Sequence, residues 1–461
     1  MRAKLGPDHP HTLDSLTQLG LDYVNAGRPA EAVALLEEAT QRCKTKLGPD
    51  HPQTLESIRR LARAYQSAGR IQEALGYFQE ALALQKAHMD ADHPDVLFTI
   101  NDMAIAYHDA GRVAKAATLF EEALKLSKSK LGPDHPETLN SMGNLALIYR
   151  LTGRLAEAIP LLEQTLNWRS AKLGPDHPQT LRSMANLANG YRDCGRLAEA
   201  IPLAEEALKL RRAKLGPEHP STLDTQSNLG LAYQCAGRLA ESISLQTDAL
   251  KHQKAKLGPA DLDTLTSMNR LAEADFLAGH REEALALYKD ALKASQAKYG
   301  SGHPVALRTI HGLARVRMAE QEYGTAETLL SDALVSAEKN EPDNPKEAAA
   351  IRELLGECLM RHGKIEKAES VLHEAPAARE RMNPSSWETA WAKSLLGGAL
   401  VGQRKYAEAE PLLLAGYNGL KEHETQIPVP ERSKLREALG RVVELYDNWG
   451  KKDQAELWRK K

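Results

Sequence analysis

From Leu139 to Tyr149 the apolar side chains Leu139, Met142, Leu145, Ala146 and Tyr149 return every three or four residues, the spacing that gathers them on one face of an α-helix. His135-Pro136 opens that helix, because proline suits a first helical position, where its missing N–H would have no partner in any case. Gly153 closes it, since glycine readily takes the positive φ of a left-handed cap. The pattern then resumes with Leu155, Ala158, Leu162, Thr165 and Leu166 inward and charged residues outward. Two helices of about 15 and 17 residues, each roughly 25 Å long at 1.5 Å per residue, make an αα-hairpin. Pro160, Pro202 and Pro411 fall inside second helices, where each removes a backbone hydrogen bond and is expected to bend the helix slightly.

The hairpin recurs. Leu-Gly-Pro-Asp/Glu-His-Pro begins at residues 5, 47, 131, 173 and 215, and variants begin at 89, 257 and 299, a period of 42 residues. The closing glycine recurs with it at 27, 69, 111, 195, 237, 279 and 363. Periods of 20 to 50 residues mark stacked units, each unable to bury its apolar face until a neighbour covers it. The fold expected is therefore an all-α solenoid rather than a set of separate globular domains. Residues 1–340 carry eight regular repeats. Residues 341–424 carry two divergent hairpins, the first keeping Leu355, Gly356, Gly363, Ala368 and Leu372 after the turn Glu341-Pro342-Asp343-Asn344-Pro345. Residues 425–461 read as capping helices, with the last long one at about Arg432–Trp449 and a short stub carrying Ala455 and Trp458.

With 42% hydrophobic residues, 26% charged residues and a net charge of -2, the chain has no general attraction to nucleic acid or anionic membrane. No stretch approaches about 18 consecutive apolar residues and the N-terminus has no apolar signal core, so a cytoplasmic location is expected. Cys43, Cys194, Cys235 and Cys358 make no CxxC pair, which argues for reduced thiols over a disulfide framework or zinc site. The histidines His9, His51, His93, His135, His177, His219 and His303 occur once per repeat, too far apart for the three or four ligands zinc needs. Helix-entry chemistry accounts for them better. No metal, cofactor or catalytic constellation is read from the chain, and an enzyme is not expected.

The residues Leu19, Gly20, Tyr23, Ala32, Leu36 and Ala39 resemble the tetratricopeptide repeat. The 42-residue spacing and its linker are similar to the subclass of kinesin light chains and many bacterial multi-repeat proteins. That resemblance implies a right-handed superhelix of hairpins, and a concave groove lined by first helices that binds proteins or peptides. The run Lys405-Tyr406-Ala407-Glu408-Ala409-Glu410-Pro411-Leu412-Leu413, then Leu445-Tyr446, Trp449-Gly450 and Trp458-Arg459-Lys460, resembles the end of repeat arrays attached to bacterial, planctomycete-type serine/threonine kinases. The glycine-rich loop, His-Arg-Asp and Asp-Phe-Gly of a kinase are not in this chain. Met1 to Pro7 matches the end of a second helix and its linker, so the chain is expected to continue a longer parent, as the regulatory or sensor region of a kinase-type protein; the alternative is a stand-alone scaffold or adaptor like a kinesin light chain. It is otherwise expected to be a monomer.

Counting from Leu139, Leu181 and Leu223 as motif position one, position six gives Asn144, Asn186 and Asn228 in consecutive repeats. An asparagine offers a donor and an acceptor, so such a ladder can bond the backbone of an extended peptide; local bonding between repeats is the competing account. In kinesin-light-chain-like arrays the matching asparagines bind ligand backbone. Arg59, Arg60, Arg63, Arg150, Arg182, Arg192, Arg308 and Arg315 join that face. Their planar forks suit an acidic peptide or free C-terminus. Asp14, Glu56, Asp102, Asp109, Asp193, Asp224 and Glu273 stand at similar places and would pair with many of them.

Overall fold

The computed structural model describes residues 6–90, 93–339, 345–428 and 431–461. The expected turn at Glu341–Asn344 and the first five residues lie outside these. Numbered in chain order, the first eight hairpins are α1 (Pro10–Asn25) with α2 (Pro29–Leu47), α3 (Pro52–Ser67) with α4 (Ile71–His88), α5 (Pro94–Asp109) with α6 (Val113–Leu131), α7 (Pro136–Leu151) with α8 (Leu155–Leu173), α9 (Pro178–Asp193) with α10 (Leu197–Leu215), α11 (Pro220–Cys235) with α12 (Leu239–Leu257), α13 (Leu262–Ala278) with α14 (Arg281–Tyr299), and α15 (Pro304–Ala319) with α16 (Tyr323–Glu338). Then follow α17 (Pro345–Arg361), α18 (Ile365–Leu372), α19 (Ala375–Met382), α20 (Trp387–Gly402), α21 (Tyr406–Glu422), α22 (Ser433–Asn448) and α23 (Lys452–Arg459). No strand occurs among the described residues. The fold is an all-α solenoid, and it divides into two compact units, residues 1–168 and 169–461.

The sequence stripe is the core. Leu139, Met142, Leu145, Ala146 and Tyr149 are all under 9% exposed, as are Leu155, Ala158, Leu162 and Thr165. Within the first unit a continuous apolar cluster runs from Ala32 to Ala158. In the second, the largest runs from Leu307 to Trp458. Pro160, Pro202 and Pro411 stand inside α8, α10 and α21, which continue through them.

The linker histidines have a definite task. In α1, α3, α5, α7, α9, α11 and α15, the Nδ1 of His9, His51, His93, His135, His177, His219 or His303 accepts from the backbone N–H two residues on, at 3.2–3.3 Å. It satisfies one of the donors that every helix start leaves over. Asp261 does the same for α13. At the hairpin turn the glycine takes positive φ, +76° at Gly153. Gln321 and Arg404 hold that conformation without being glycine, at +63° and +62°.

Neighbouring repeats are coupled by a tyrosine. Tyr65, Tyr149 and Tyr233, near the ends of α3, α7 and α11, donate their hydroxyls to Glu37, Glu121 and Glu205 on the second helix of the preceding repeat, Tyr149 at 2.8 Å and Tyr233 at 2.6 Å. Burial, reinforced by the carboxylate, pushes Tyr149 and Tyr233 up to about 12. The arginine after the turn glycine covers the same ring. Arg70, Arg154, Arg196 and Arg238 lie 4.5, 3.9, 4.2 and 4.1 Å from the centroids of Tyr65, Tyr149, Tyr191 and Tyr233, within cation–π range.

The C-terminal part departs from the regular plan. The second helix of the ninth hairpin is broken into α18 and α19, with Pro376 in the first turn of α19. Arg379 on α19 forms a bidentate pair with Glu353 on α17 at 2.6 and 3.0 Å, both nearly buried. The expected stub after Gly450 is the helix α23. It packs Ala455 and Trp458 inward, Trp458 meeting Tyr417 edge-on at 5.2 Å, so the array ends on a pair of helices.

Candidate interaction surface

First helices of adjacent repeats abut along one face, and their side chains meet at spacings of 42 or 43 residues. In the first unit Arg59 pairs with Asp102 at 2.7 Å and with Glu56 at 2.8 Å. Arg60 pairs with Glu56 at 2.6 Å and donates to Gln18 at 2.9 Å. Gln66 reaches Asp109 at 2.6 Å. These groups are engaged in joining repeats. Arg63 is half-buried and makes no ion pair among the described residues. Asn144 is half-buried on the same face of α7 and makes no side-chain hydrogen bond among the described residues, while Arg150 sits half-buried in the last turn of α7.

In the second unit Asn186 on α9 is half-buried, again with no side-chain hydrogen bond among the described residues, and Arg182 lies exposed one turn before it. Asn228 on α11 donates to Asp224 at 3.2 Å, the local bonding weighed as the alternative. Arg192 is drawn to Asp193 at 2.8 Å and Asn189 at 3.2 Å, and Arg315 to Glu273 at 2.7 Å. Arg308 is exposed, with a long bond to the Pro304 carbonyl at 3.4 Å.

A cavity of about 850 Å³ opens between α9, α11 and α13, lined by Arg182, Asn186, Arg211, Asp224, Ser227 and Arg270 among others. Of the asparagines and arginines singled out from sequence, Arg182 and Asn186 line it, and Asn228 and Arg192 do not; Asp224 and His219 line it as well. Arg211, only 6% exposed, donates to the Ser221 carbonyl at 2.6 Å and to Thr225 Oγ1. Burial draws its guanidinium below the usual arginine range, with Arg182 adding to the effect and Asp224 opposing it. Arg270 donates to Ser227 Oγ at 2.7 Å. Burial lowers it too, with Arg192 and Arg308 adding and Asp224 and Asp263 opposing. Arg169, 2% exposed, bonds Ser183 Oγ at 2.9 Å and is drawn down to about 10 by burial and by Arg182. Of the guanidinium groups lining the pocket, Arg211 and Arg270 are thus bound to neutral oxygens, an environment that suits an anion's carboxylate or a peptide carbonyl.

Sequence reasoning missed Arg211 and Arg270. Arg270 had a signal, since it occupies in the seventh repeat the position that gives Asn144, Asn186 and Asn228 in the fourth to sixth. Arg211 lies on a second helix, and its signal is its recurrence 42 residues after Arg169. Among the described residues no group of three His, Cys, Asp or Glu side chains is placed to hold a metal ion, and no helix is long and apolar enough to cross a membrane. The four cysteines are free thiols, and burial raises those of Cys43, Cys235 and Cys358, the last to about 11.

Models of the tetratricopeptide repeat match residues 13–87, 95–169, 144–213, 184–255, 221–297 and 263–339, and a second such model matches 311–383. No curated protein matches the chain. Among solved structures, a Podosopora anserina protein described as a kinesin light chain with nearly identical TPR-like repeats is 34% identical, covering 44% of this chain and 97% of its own, at a TM-score of 0.40. A Rap protein complexed with Competence and Sporulation Factor is 11% identical over 81% of this chain and 99% of its own, at a TM-score of 0.56. The apo quorum sensor NprR from B. thuringiensis is 14% identical over 80% and 99%, at 0.53. The last two share the fold.

Proposed function

The chain belongs to the tetratricopeptide repeat family, and on that premise we propose that it is a noncatalytic protein-interaction module that holds an extended peptide or protein segment in a concave groove lined by its first helices. The observation that carries the reading is Asn186 beside Arg182 at the mouth of the α9–α11–α13 cavity, its amide without a partner among the described residues. A half-buried amide in that state is suited to pair with a ligand's backbone. Asn144 presents the same amide in the first unit, and the Asn228 carbonyl remains open while its amide holds Asp224. Of the arginines, Arg63 suits an acidic guest better than Arg59 and Arg192, which already hold carboxylates. Extended peptide advances about 3.3 Å per residue and helices pack about 8–10 Å apart, so each repeat would meet every third ligand residue.

The finer assignment, to the regulatory or sensor region of a bacterial serine/threonine kinase-type protein of the cytoplasm, is supported by the C-terminal run from Lys405 to Leu413 and the Trp449-Gly450 and Trp458-Arg459-Lys460 steps. Reading the DNA upstream of the Met1 codon for an in-frame kinase domain decides between it and a stand-alone scaffold. The binding reading is tested with partners recovered by pull-down and mapped on peptide arrays. Replacing Asn144, Asn186 and Asn228 together by alanine should weaken the mapped peptide, each lost neutral bond contributing about 0.5–1.5 kcal/mol, with helical content unchanged. Unchanged affinity, or a partner that maps to second-helix surface, refutes it.

A further inference from the structure

The first-helix face of the second unit is touched by a part of the chain remote from it in sequence. Arg432, just before α22, lies against the turn between α9 and α10 so closely that a Cβ on Gly195 would stand 2.5 Å from its Nη2. Glycine at this turn is needed for its positive φ, +79°, and its missing side chain also leaves room for the guanidinium. The same guanidinium acts on Cys235 at the end of α11, whose thiol is raised by burial and drawn back by Arg192 and Arg432. Arg432 itself makes no ion pair among the described residues, and its Nε has only a long bond to the Ile427 carbonyl at 3.5 Å.

Glu431 precedes Arg432 in the chain, within electrostatic reach of Arg315 and His311 on α15. It pairs with Lys434 at 2.8 Å. Burial pushes its carboxyl up, but Lys434, Arg315 and His311 together hold it below the usual carboxylate range. His311 on α15 feels the same crowd from the other side: burial first, then Arg315 and Lys434, bring it down to about 4. Lys434 is anchored on α20, with Nζ 5.1 and 5.0 Å from the Trp387 and Trp391 ring centroids. The start of α22 is thus fixed to the tenth hairpin on one side, while Arg432 reaches the turn of the fifth repeat.

We propose that the face from the Gly195 turn to Arg315 is a docking surface whose resident occupant is the chain's own Glu431–Lys434, so that a partner segment entering there displaces it. This deepens, and rests on, the reading of the first-helix face as the partner surface. The chemistry of the occupant defines the partner. It carries a carboxylate within electrostatic reach of Arg315 and His311, followed by a cation at the Gly195 turn that makes no ion pair among the described residues. A site filled most of the time by its own chain binds a competitor with an affinity reduced by the fraction that is open.

The test uses the full chain and a fluorescein-labelled synthetic peptide with the sequence of residues 425–436. Fluorescence anisotropy should show the peptide binding Glu431→Ala/Arg432→Ala at least about tenfold more tightly than the native chain. Hydrogen exchange at the Gly195–Leu197 amides should be faster in the variant and slow again when peptide is added. Arg432→Gln alone, which keeps most of the side-chain stem, should shift both readouts in the same direction, and circular dichroism checks that each variant is folded. Equal peptide affinity for native and variant chains, or unchanged exchange at Gly195, overturns the proposal. Because the probe comes from this chain, its failure removes the self-occupied site and leaves the partner-surface reading to the asparagine variant.

Discussion

Replacing Tyr233 by phenylalanine removes one oxygen from a ring only 9% exposed, with the hydroxyl 2.6 Å from Glu205 on the preceding repeat. Ring volume and the Arg238 guanidinium 4.1 Å above it remain, so there is no cavity contribution and the change isolates the hydrogen bond. A bond to a charged acceptor contributes about 1.5–3 kcal/mol when both ends are buried. Glu205 is exposed, and its carboxylate rehydrates once the hydroxyl is gone, so the expected loss is about 1 kcal/mol. The assay is a double-mutant cycle of Tyr233→Phe and Glu205→Gln in urea unfolding of the full chain, followed by circular dichroism and tryptophan fluorescence. Coupling of about 1 kcal/mol is expected, and a value below about 0.3 kcal/mol, the ordinary error of additivity, refutes the coupling between repeats. The folded-state pKa of Tyr233 is raised, so this contribution is fully present below the ordinary tyrosine value near 10. It is lost as pH rises through about 12. The advantage of the native chain over Tyr233→Phe should therefore disappear across that alkaline window.

Arg379→Met should destabilise the chain by about 3–5 kcal/mol by leaving Glu353 buried without its partner, whereas Arg379→Met with Glu353→Leu should recover most of the loss; thermal unfolding of the three forms decides. Gly356→Ala places a Cβ 2.4 Å from Leu372 Cγ and should cost about 1–3 kcal/mol by overpacking. Gly143→Ala, with no heavy atom within 4 Å of the new Cβ, should stabilise α7 by about 0.5–1 kcal/mol; equal shifts in urea midpoint for the two would count against the packing described. Leu187→Ala, at a side chain 4% exposed, should cost about 2–5 kcal/mol, read as an earlier unfolding transition, and an unshifted one would contradict its place in the core.

The hairpins were legible because their signals are local and repeated. The Leu139-to-Tyr149 stripe, the proline at the helix start and the glycine at the turn each act within a few residues of where they stand. The histidine cap was half legible: its place before proline suggested helix entry, but which side chain supplies the acceptor depends on a ring orientation that periodicity does not encode. Gln321 and Arg404 take a glycine conformation with no glycine to announce it, because flanking helices hold the turn. On the face itself, position counting places Asn144 and Asn186 on first helices, and the pairing with acids weighed from the sequence is what Arg59 makes with Asp102 and Arg192 with Asp193. Arg432 acts across helices through a contact with no period, and only the fold brings it to the Gly195 turn.

Almost everything else in this array is indifferent to how many repeats there are. The histidine cap, the turn glycine and the Tyr–Glu bond all reach no further than the adjoining unit, so a whole repeat inserted ahead of Gly195 meets the same neighbours as before. Arg432 on the Gly195 turn obeys a different rule. It spans five successive hairpin turns and closes only when their accumulated rotation brings the right one round, which makes it a counter of repeats. Duplication by unequal recombination, the easy way for such a gene to grow or shrink, is therefore structurally silent on one side of residue 195 and breaks a tertiary contact on the other.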